Sequence, residues 1–435
     1  MDQRAIRGAY LTFKADPFLH NIDDCFVYEP DGIILVDDGK IADIGPASDM
    51  AGKVAEGIDV VRYEDSLILA GFIDSHVHYP QTQIIGAYGE RLINWLNKYA
   101  FIAEQAFSDG DHAREVAQRF LRECLRAGTT TSSVFCTVYP QSVDVFFEEA
   151  ERLNMRMIAG KVMMDRNAPK ALTDTAQRGY DESKALIEKW HGRGRLMYSV
   201  TPRYAPTSTP EQLEMTGALW KEHPGTFLQS HLSENKAEIE WVKELFPERA
   251  GYLDVYDHYG LMGDRAIYGH GIHLTEEEFR RCHETGTAIA HCPTSNLFLG
   301  SGHFNLHNAK RENRPVRVGL ATDLGGGTSF SILQTLNEAY KVAQMNSNPL
   351  SAGQAFYLAT RGTAEALCLE DMIGSLVPGM EADMVVLDLK STPIIEYRMQ
   401  YAEDIKDVLF ILMTMGDDRA TRATYIAGAL AYARD

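Results

Sequence analysis

Residues 70–78 read Ala70-Gly-Phe-Ile-Asp-Ser-His-Val-His78, an apolar run that ends in two histidines two positions apart. In an extended strand, residues i and i+2 point to the same face, so His76 and His78 can bind one metal ion together. The chain has 14 histidines, and two surface or helix-capping imidazoles would produce the same short pattern by chance. This segment alone therefore leaves both interpretations open.

Three later segments also stop at a potential metal ligand. They are β-prone runs that end at His231, His270 and Asp323, each with a glycine or a helix start just beyond. A parallel barrel of eight strands brings the last residues of distant strands together at its carboxyl end. Candidate strands occur at 68–74, 129–136, 155–163, 195–201, 226–231, 265–270, 287–291 and 316–323. We therefore predict an α/β fold of the (β/α)8 TIM-barrel type.

Helix-start signals lie between the predicted strands, as a parallel sheet requires. Thr209 has Gln212 three residues on, and Thr275 has Glu278 in the same relation, which are capping-box arrangements. Ser233 is predicted to cap the helix that follows the strand ending at residue 231. Strand and helix thus alternate through the middle of the chain.

Both ends of the chain are β-rich, and they do not continue this alternation. Asp31-Gly32 and Asp38-Gly39 are predicted turns on either side of an apolar strand at 33–36, and a last strand is predicted near residues 424–427. We expect residues 1–67 and 373–435 to meet in one small β-sandwich beside a barrel of residues 68–372. Two unrelated appendages are the alternative.

Composition excludes several classes of protein. The 435 residues, of which 45% are hydrophobic, can bury a large core, and a net charge of −19 speaks against a nucleic-acid partner. Six scattered cysteines, with no Cys-x-x-Cys pair and no secretory signal, are typical of a reduced, cytoplasmic protein. No apolar run approaches the length that spans a bilayer, so we expect no membrane attachment.

Several short motifs together resemble the metal-dependent amidohydrolase superfamily, and within it the members that deaminate guanine. The likeness spans nearly the whole chain, and its motifs are Gly71-Phe-Ile-Asp-Ser-His-Val-His78, His78-Tyr-Pro-Gln81, Thr201-Pro-Arg-Tyr204, His231-Leu-Ser-Glu234, His291-Cys-Pro-Thr-Ser-Asn296, Ala321-Thr-Asp323 and Pro378-Gly-Met-Glu-Ala-Asp383.

The resemblance implies one zinc ion per chain. Its ligands would be His76, His78, His231 and Asp323, with His270 beside the metal-bound water. Three imidazoles and one carboxylate suit Zn²⁺ or Fe²⁺, and a metal ion lowers the pKa of its water from 15.7 to about 7. Two-metal relatives carry a modified lysine at the end of strand four. Thr201 and Pro202 stand there in this chain, which favours a mononuclear site.

The resemblance also implies a reaction. Hydroxide on the metal would attack C2 of guanine while Glu234, as general acid and base, protonates N3. Asp323 would pass the hydroxide proton to the departing amine and His270 would orient the hydroxide, giving xanthine and ammonia. Without a neighbouring metal, Glu234 would read as an acidic residue in the first turn of a helix.

Substrate recognition is expected, again by resemblance, from Gln81, Arg203 and Tyr204 together with His231 and Glu234. Arg203 can donate to the O6 and N7 acceptors of guanine. The alternatives are a solvated loop cation for Arg203 and a packing aromatic ring for Tyr204.

Other functions remain open at this point. The same site could serve a relative that acts on an oxidised purine, a pterin, a thioether nucleoside or a chlorinated triazine, or the barrel could be a catalytically silent scaffold. The complete set of six site residues argues against a silent scaffold, and relatives suggest a homodimer.

Gly325-Gly-Gly327 is interpreted as a close backbone approach at the barrel mouth, and the loop with His303 and His307 has no assigned role.

Overall fold

The computed structural model describes residues 3–89 and 91–434, and their strands form two sheets. The strands are β1 (Arg4–Phe13), β2 (Phe26–Asp37), β3 (Lys40–Pro46), β4 (Val60–Ala70), β5 (Phe72–His78), β6 (Thr129–Phe135), β7 (Arg156–Gly160), β8 (Val162–Met163), β9 (Met197–Pro202), β10 (Phe227–Leu232), β11 (Ala266–His270), β12 (Ala288–His291), β13 (Val318–Leu320), β14 (Met384–Asp388), β15 (Thr421–Ile426) and β16 (Ala429–Ala433).

The helices mostly alternate with the central strands. They are α1 (Ala47–Met50), α2 (Leu92–Trp95), α3 (Phe101–Gln105), α4 (Gly110–Arg126), α5 (Pro140–Arg152), α6 (Ala176–Trp190), α7 (Pro210–Glu222), α8 (Lys236–Leu245), α9 (Tyr252–His258), α10 (Glu276–Thr285), α11 (Pro293–Phe298), α12 (Leu306–Ala309), α13 (Ile332–Met345), α14 (Ala352–Ala359), α15 (Arg361–Ala366), α16 (Pro393–Met399) and α17 (Ile405–Met415). Among the described residues, none of these helices is long and apolar enough to cross a membrane.

The central sheet forms the predicted barrel. Its strands follow the order β13-β12-β11-β10-β9-β7-β6-β5, and β8 pairs with β9. The ladders from β7 through β13 are parallel. The two ends of this sheet meet, because Ser75 Oγ donates to the Leu320 carbonyl at 2.8 Å and the Asp323 amide donates to the His76 carbonyl at 3.0 Å. The TIM-type fold class is therefore confirmed.

The first and last barrel strands differ from their predicted bounds. The strand predicted at 68–74 is wrong, because β4 ends at Ala70 in the other sheet, paired with Met384, and β5 begins at Phe72. The strand predicted at 316–323 is limited to Val318–Leu320. Asp323 has a φ of +46°, which a strand does not accommodate.

Most helix starts follow the predicted capping residues. Thr275 and Glu278 form a complete capping box, whereas Thr209 caps α7 by accepting from the Gln212 amide without the reciprocal bond. The prediction for Ser233 is wrong. Asn235 caps α8 instead, because Ser233 has a φ of +48° and an N-cap residue needs an extended backbone.

The second sheet joins strands from both ends of the chain in the order β16-β15-β14-β4-β1-β2-β3. Side chains from both ends, among them Ile6, Ile34, Met384 and Tyr425, pack in one buried cluster. One β-sheet built from both termini is thus confirmed, and two unrelated appendages are excluded.

The two predicted turns in this sheet have different outcomes. The Asp38-Gly39 turn joins β2 to β3 with φ values of +48° and +76°. Asp31-Gly32 is not a turn, because it lies within β2 where the pairing register with β1 shifts.

The chain divides into two compact units. One contains the residues up to 74, residues 122–131 and those from 330 onward, and the other contains 75–121 and 132–329. All of the predicted site residues belong to the second unit. The domain limits at 67/68 and 372/373 stay a prediction.

Candidate active site

Six side chains predicted for metal binding and proton transfer lie together where barrel strands end. Two are in β5, one is in β10 and one is the last residue of β11, and the other two lie just after β10 and β13. Five are buried and the sixth, His231, is partly buried; the set is His76, His78, His231, Glu234, His270 and Asp323.

The spacing of four donors fits a single metal ion. His78 Nε2 lies 3.1 Å from His231 Nε2, and Asp323 Oδ1 lies 3.5 Å from the Nε2 atoms of both His76 and His78. Ligands at zinc bond lengths around a tetrahedral centre are about 3.3 Å apart. Three imidazoles and one carboxylate are also a donor set that divalent transition metals accept. The residues present therefore fit a mononuclear centre.

The imidazoles are held in the form that binds metal. Burial lowers the pKa of His78 and of His231 well below the usual value, and the neighbouring imidazoles add to this effect. His231 Nδ1 donates to the Arg203 carbonyl at 2.6 Å, which directs its Nε2 lone pair toward the cluster. Neutral rings with a fixed tautomer are what metal coordination requires.

A second grouping of donors is chemically weaker. His76, His270, Cys292 and Asp323 also bring one potential ligand atom each within 4.8 Å of one another. Burial, however, raises the pKa of the Cys292 thiol to about 11, and the thiolate is the form that binds metal. The set with His78 and His231 is thus the better candidate.

The backbone at the strand ends is strained where the site residues lie. His270 has a φ of +75° and Asp323 a φ of +46°, both in the left-handed region that residues with a Cβ rarely adopt. Gly269, just before His270, lies against the His76 ring, because a Cβ there would be 2.6 Å from His76 Cε1. Glycine at this position therefore makes room for the His76 imidazole.

Glu234 precedes α8, so it is not a first-turn helix residue. Its Oε1 accepts from Ser301 Oγ at 2.9 Å, and its Oε2 lies 3.5 Å from His270 Nε2. Burial raises the pKa of Glu234, and the Asp323 charge adds to this rise while His270 opposes it. A carboxyl group of raised pKa can carry a proton near neutral pH.

His270 and Asp323 complete the polar cluster. Burial by itself disfavours protonated His270, but Glu234 and Asp323 together raise its pKa well above the usual value. His270 Nδ1 donates to Asn296 Oδ1 at 2.8 Å, so Nε2 faces the carboxylates. The pKa of Asp323 is lowered, because its hydrogen bond and charge interaction with His76 outweigh the effect of burial.

A cavity opens onto this cluster. The predicted substrate residues Gln81, Arg203 and Tyr204 line it together with His231 and Glu234. Arg203 is only 2% exposed, which excludes a solvated loop cation. The cavity also has an apolar part of its wall, which consists of Leu92, Trp95, Leu96 and Leu299.

Some predicted features lie outside the cavity. Among the described residues, neither His303 nor His307 lines it. His273 is half-buried, and its ring binds the Ser301 carbonyl. The close approach predicted for the glycine run is present, because a Cβ at Gly325 would be 2.2 Å from Gln81 Oε1.

Three residues around the site were not assigned by sequence reasoning. Glu104 binds both Gln81 and Arg203, Ser301 holds Glu234, and Asn296 holds His270. Asn296 closes a motif that was recognised without a role for each residue. Neither Glu104 nor Ser301 lies in a motif, so only the fold connects them to the site.

The family follows from a comparison with known proteins. Residues 67–431 match the amidohydrolase family, and the chain belongs to that family.

Particular relatives narrow the class. Guanine deaminase of Escherichia coli K12 is 49% identical over 433 residues, which cover 99% of this chain and 98% of that protein. A solved E. coli guanine deaminase structure superposes with a TM-score of 0.96 at 47% identity, covering 100% of both chains. A guanine deaminase from C. acetobutylicum, solved with guanine bound in the active site, has a TM-score of 0.88 at 27% identity and covers 99% of this chain and 100% of its own.

Proposed function

We propose that this protein is a guanine aminohydrolase that converts guanine and water to xanthine and ammonia. The observation that carries the proposal is the convergence of four potential metal ligands with Glu234 and His270 beside a cavity that Gln81 and Arg203 also line. Relatives named as guanine deaminases, at up to 49% identity over nearly the full chain, support the choice of substrate.

The metal ion we propose is zinc, one per chain. His76, His78, His231 and Asp323 would hold it, and Fe²⁺ is chemically acceptable to the same donors. When bound, such an ion acidifies a water molecule and so provides a nucleophile near neutral pH. Two distances support this assignment. The Nε2 atoms of His78 and His231 are 3.1 Å apart, and Asp323 Oδ1 lies 3.5 Å from the Nε2 atoms of His76 and His78.

Two carboxyl groups would divide the proton transfers. Glu234, whose pKa is raised, donates a proton to N3 of guanine and so neutralises the charge that addition at C2 places on the ring. Asp323, whose pKa is lowered, accepts the proton of the attacking water and delivers it to the amine as the bond between C2 and the exocyclic nitrogen breaks. As the C2 carbonyl forms, the C2 hydroxyl returns a proton to Glu234, so that ammonia leaves, xanthine remains and both carboxyl groups regain their starting protonation.

His270 would act between these two carboxyl groups. Its Nε2 lies 3.5 Å from Glu234 Oε2 and 3.8 Å from Asp323 Oδ2. Asn296 fixes the ring, so His270 can hold the attacking water by a hydrogen bond and stabilise charge that develops during addition.

Guanine would lie flat against the apolar wall with its polar edge on Gln81 and Arg203. Arg203 donates to O6, as arginine does when it reads guanine in DNA. Tyr204 is buried at the cavity wall and contacts the ring of His231 at a centroid distance of 6.4 Å. Its place supports a packing role next to the substrate.

The cellular setting is also a proposal. We propose a cytoplasmic homodimer. The cysteines of the described residues are free thiols, which supports a reducing compartment. Exposed apolar side chains on and beside α16, at Ile394, Tyr397 and Tyr401, support a surface for a second copy, which light scattering can test.

A guanine assay tests the proposed function. Zinc-loaded protein should release xanthine and ammonia in equal amounts from guanine, and removal of the metal by a chelator should abolish turnover until zinc is restored. Adenine, a pterin and a chlorinated triazine serve as alternative substrates. Turnover of one of these with no turnover of guanine would overturn the assignment.

A further inference from the structure

Glu104 is a buried carboxylate that no motif marks, and it binds two pocket side chains at once. Its Oε2 accepts from Arg203 at 2.6 Å and its Oε1 accepts from Gln81 Nε2 at 3.2 Å. The side chain is 1% exposed, so water does not compete for these bonds. We propose that Glu104 is a positioning residue that fixes the hydrogen-bonding polarity of the substrate pocket, so that the pocket accepts 6-oxopurines and rejects 6-aminopurines.

The polarity of Gln81 follows from the chemistry of a carboxylate. A glutamine amide can present either its oxygen or its nitrogen to a ligand, whereas an ionised carboxylate only accepts. Glu104 must therefore receive the NH₂ group of Gln81. The amide oxygen of Gln81 remains as an acceptor, and it packs against Gly325, where a Cβ would be 2.2 Å away.

Arg203 is held by the same short helix. Phe101 and Glu104 are three residues apart in α3, so they lie on one face of that helix. The Arg203 guanidinium carbon lies 5.3 Å from the centroid of the Phe101 ring, while one of its nitrogens binds Glu104. The guanidinium therefore has a fixed plane, and its remaining N–H groups act as donors at the cavity wall.

A fixed acceptor beside a fixed donor distinguishes two classes of purine. The Watson–Crick edge of guanine or hypoxanthine offers the O6 acceptor and the N1–H donor, which complement Arg203 and Gln81. Adenine offers an amino donor and an N1 acceptor, the reverse pattern. This role rests on the proposed function. It explains why the same pocket would bind 6-oxopurines in preference to 6-aminopurines.

Charge balance adds a second effect. Arg203 is 2% exposed, and Glu104 is the partner that compensates its charge. A cation left without its partner in a buried site is costly, so its geometry would relax once the carboxylate is removed. Loss of Glu104 should therefore weaken binding of guanine more than it slows the chemical step.

The test is Glu104→Gln on the zinc-loaded protein. We expect KM for guanine to rise by at least about tenfold while kcat changes by less than about threefold. The decisive readout is the ratio of the inhibition constants of adenine and hypoxanthine. A glutamine at 104 can donate or accept, so this ratio should move at least about tenfold toward adenine.

Two further variants separate positioning from a general structural effect. Glu104→Asp keeps an acceptor-only group, so KM should rise while the preference for hypoxanthine is retained. Glu149→Gln removes a buried carboxylate outside the cavity that binds two arginines and one glutamine, Arg114 at 3.0 Å, Arg152 at 3.0 Å and Gln118 at 3.1 Å. It should lower stability and leave both KM and the inhibitor ratio unchanged.

The outcomes are distinguishable. An unchanged inhibitor ratio in Glu104→Gln, or an equal loss of affinity for both purines, would overturn the role of Glu104 and leave the proposed function intact. Should Glu104→Gln fail to fold, an unchanged KM in Glu104→Asp would overturn it as well. Failure of the wild-type protein to turn over guanine would instead overturn the proposed function.

Discussion

Replacement of Glu234 by glutamine tests the role of this residue in proton transfer while it preserves the shape of the site. The substitution preserves the shape of a side chain that is 2% exposed, and the amide can still bond to Ser301 Oγ, which lies 2.9 Å from Oε1. It removes the proton that the raised pKa of Glu234 allows this group to carry. We expect turnover of guanine to fall at least about a hundredfold, in line with general acid–base contributions of about 10²–10⁴.

A hundredfold loss is about 2.7 kcal/mol of transition-state stabilisation. It is measured as kcat from the absorbance change between guanine and xanthine, with zinc content determined on the same sample. The metal content should stay at one equivalent, because Glu234 is not among the proposed ligands.

Glu240→Gln is the matched control for this experiment. It is the same chemical change on α8, at a side chain that is 67% exposed and pairs with Lys243. Its activity should equal that of the wild type. Near-normal turnover in Glu234→Gln, or a loss of zinc from that variant, would refute the assignment of Glu234 as the proton carrier.

Three further changes probe the metal centre and its support. His231→Ala should lose the metal, and elemental analysis that still found one equivalent per chain would show that the ligand set is wrong. Gly269→Ala should lower zinc affinity at least about tenfold, because a Cβ there would lie 2.6 Å from the His76 ring; an unchanged value in a competition titration with a chelator would contradict this. Asp174→Ala should cost about 3 kcal/mol in denaturant unfolding, because it removes the closest partner of the fully buried Lys161; a loss below about 1 kcal/mol would show that Glu182 alone compensates the charge.

The barrel and the approximate site were predictable because both depend on where polar residues interrupt apolar runs. His231 is the next-to-last residue of β10 and His270 is the last residue of β11, and the sequence placed the bounds of both strands to within one residue. Asp323 was recognised as a strand-end residue although it lies three residues beyond β13. Its carboxylate still reaches the centre because a left-handed backbone at this position turns the chain, and periodicity does not report such a turn.

The supporting contacts were not predictable, for a different physical reason. Glu104 and Arg203 are 99 residues apart, and Ser301 and Glu234 are 67 apart, so no local spacing relates the partners. Each pair forms only when the barrel brings separate segments of the chain together at the ends of its strands. The predicted capping residue of α8 was wrong for a local reason. Ser233 and Asn235 are both residue types that cap helices well, and only the backbone conformation selects Asn235.

A crystal of the zinc-loaded protein would show whether four side chains hold one metal ion, as we propose. Anomalous difference density collected at the zinc edge should show a single peak, about 2.0–2.2 Å from the Nε2 atoms of His76, His78 and His231 and from the carboxylate of Asp323. A peak bonded to Cys292, two peaks in the cavity, or no peak at full zinc loading would contradict the account.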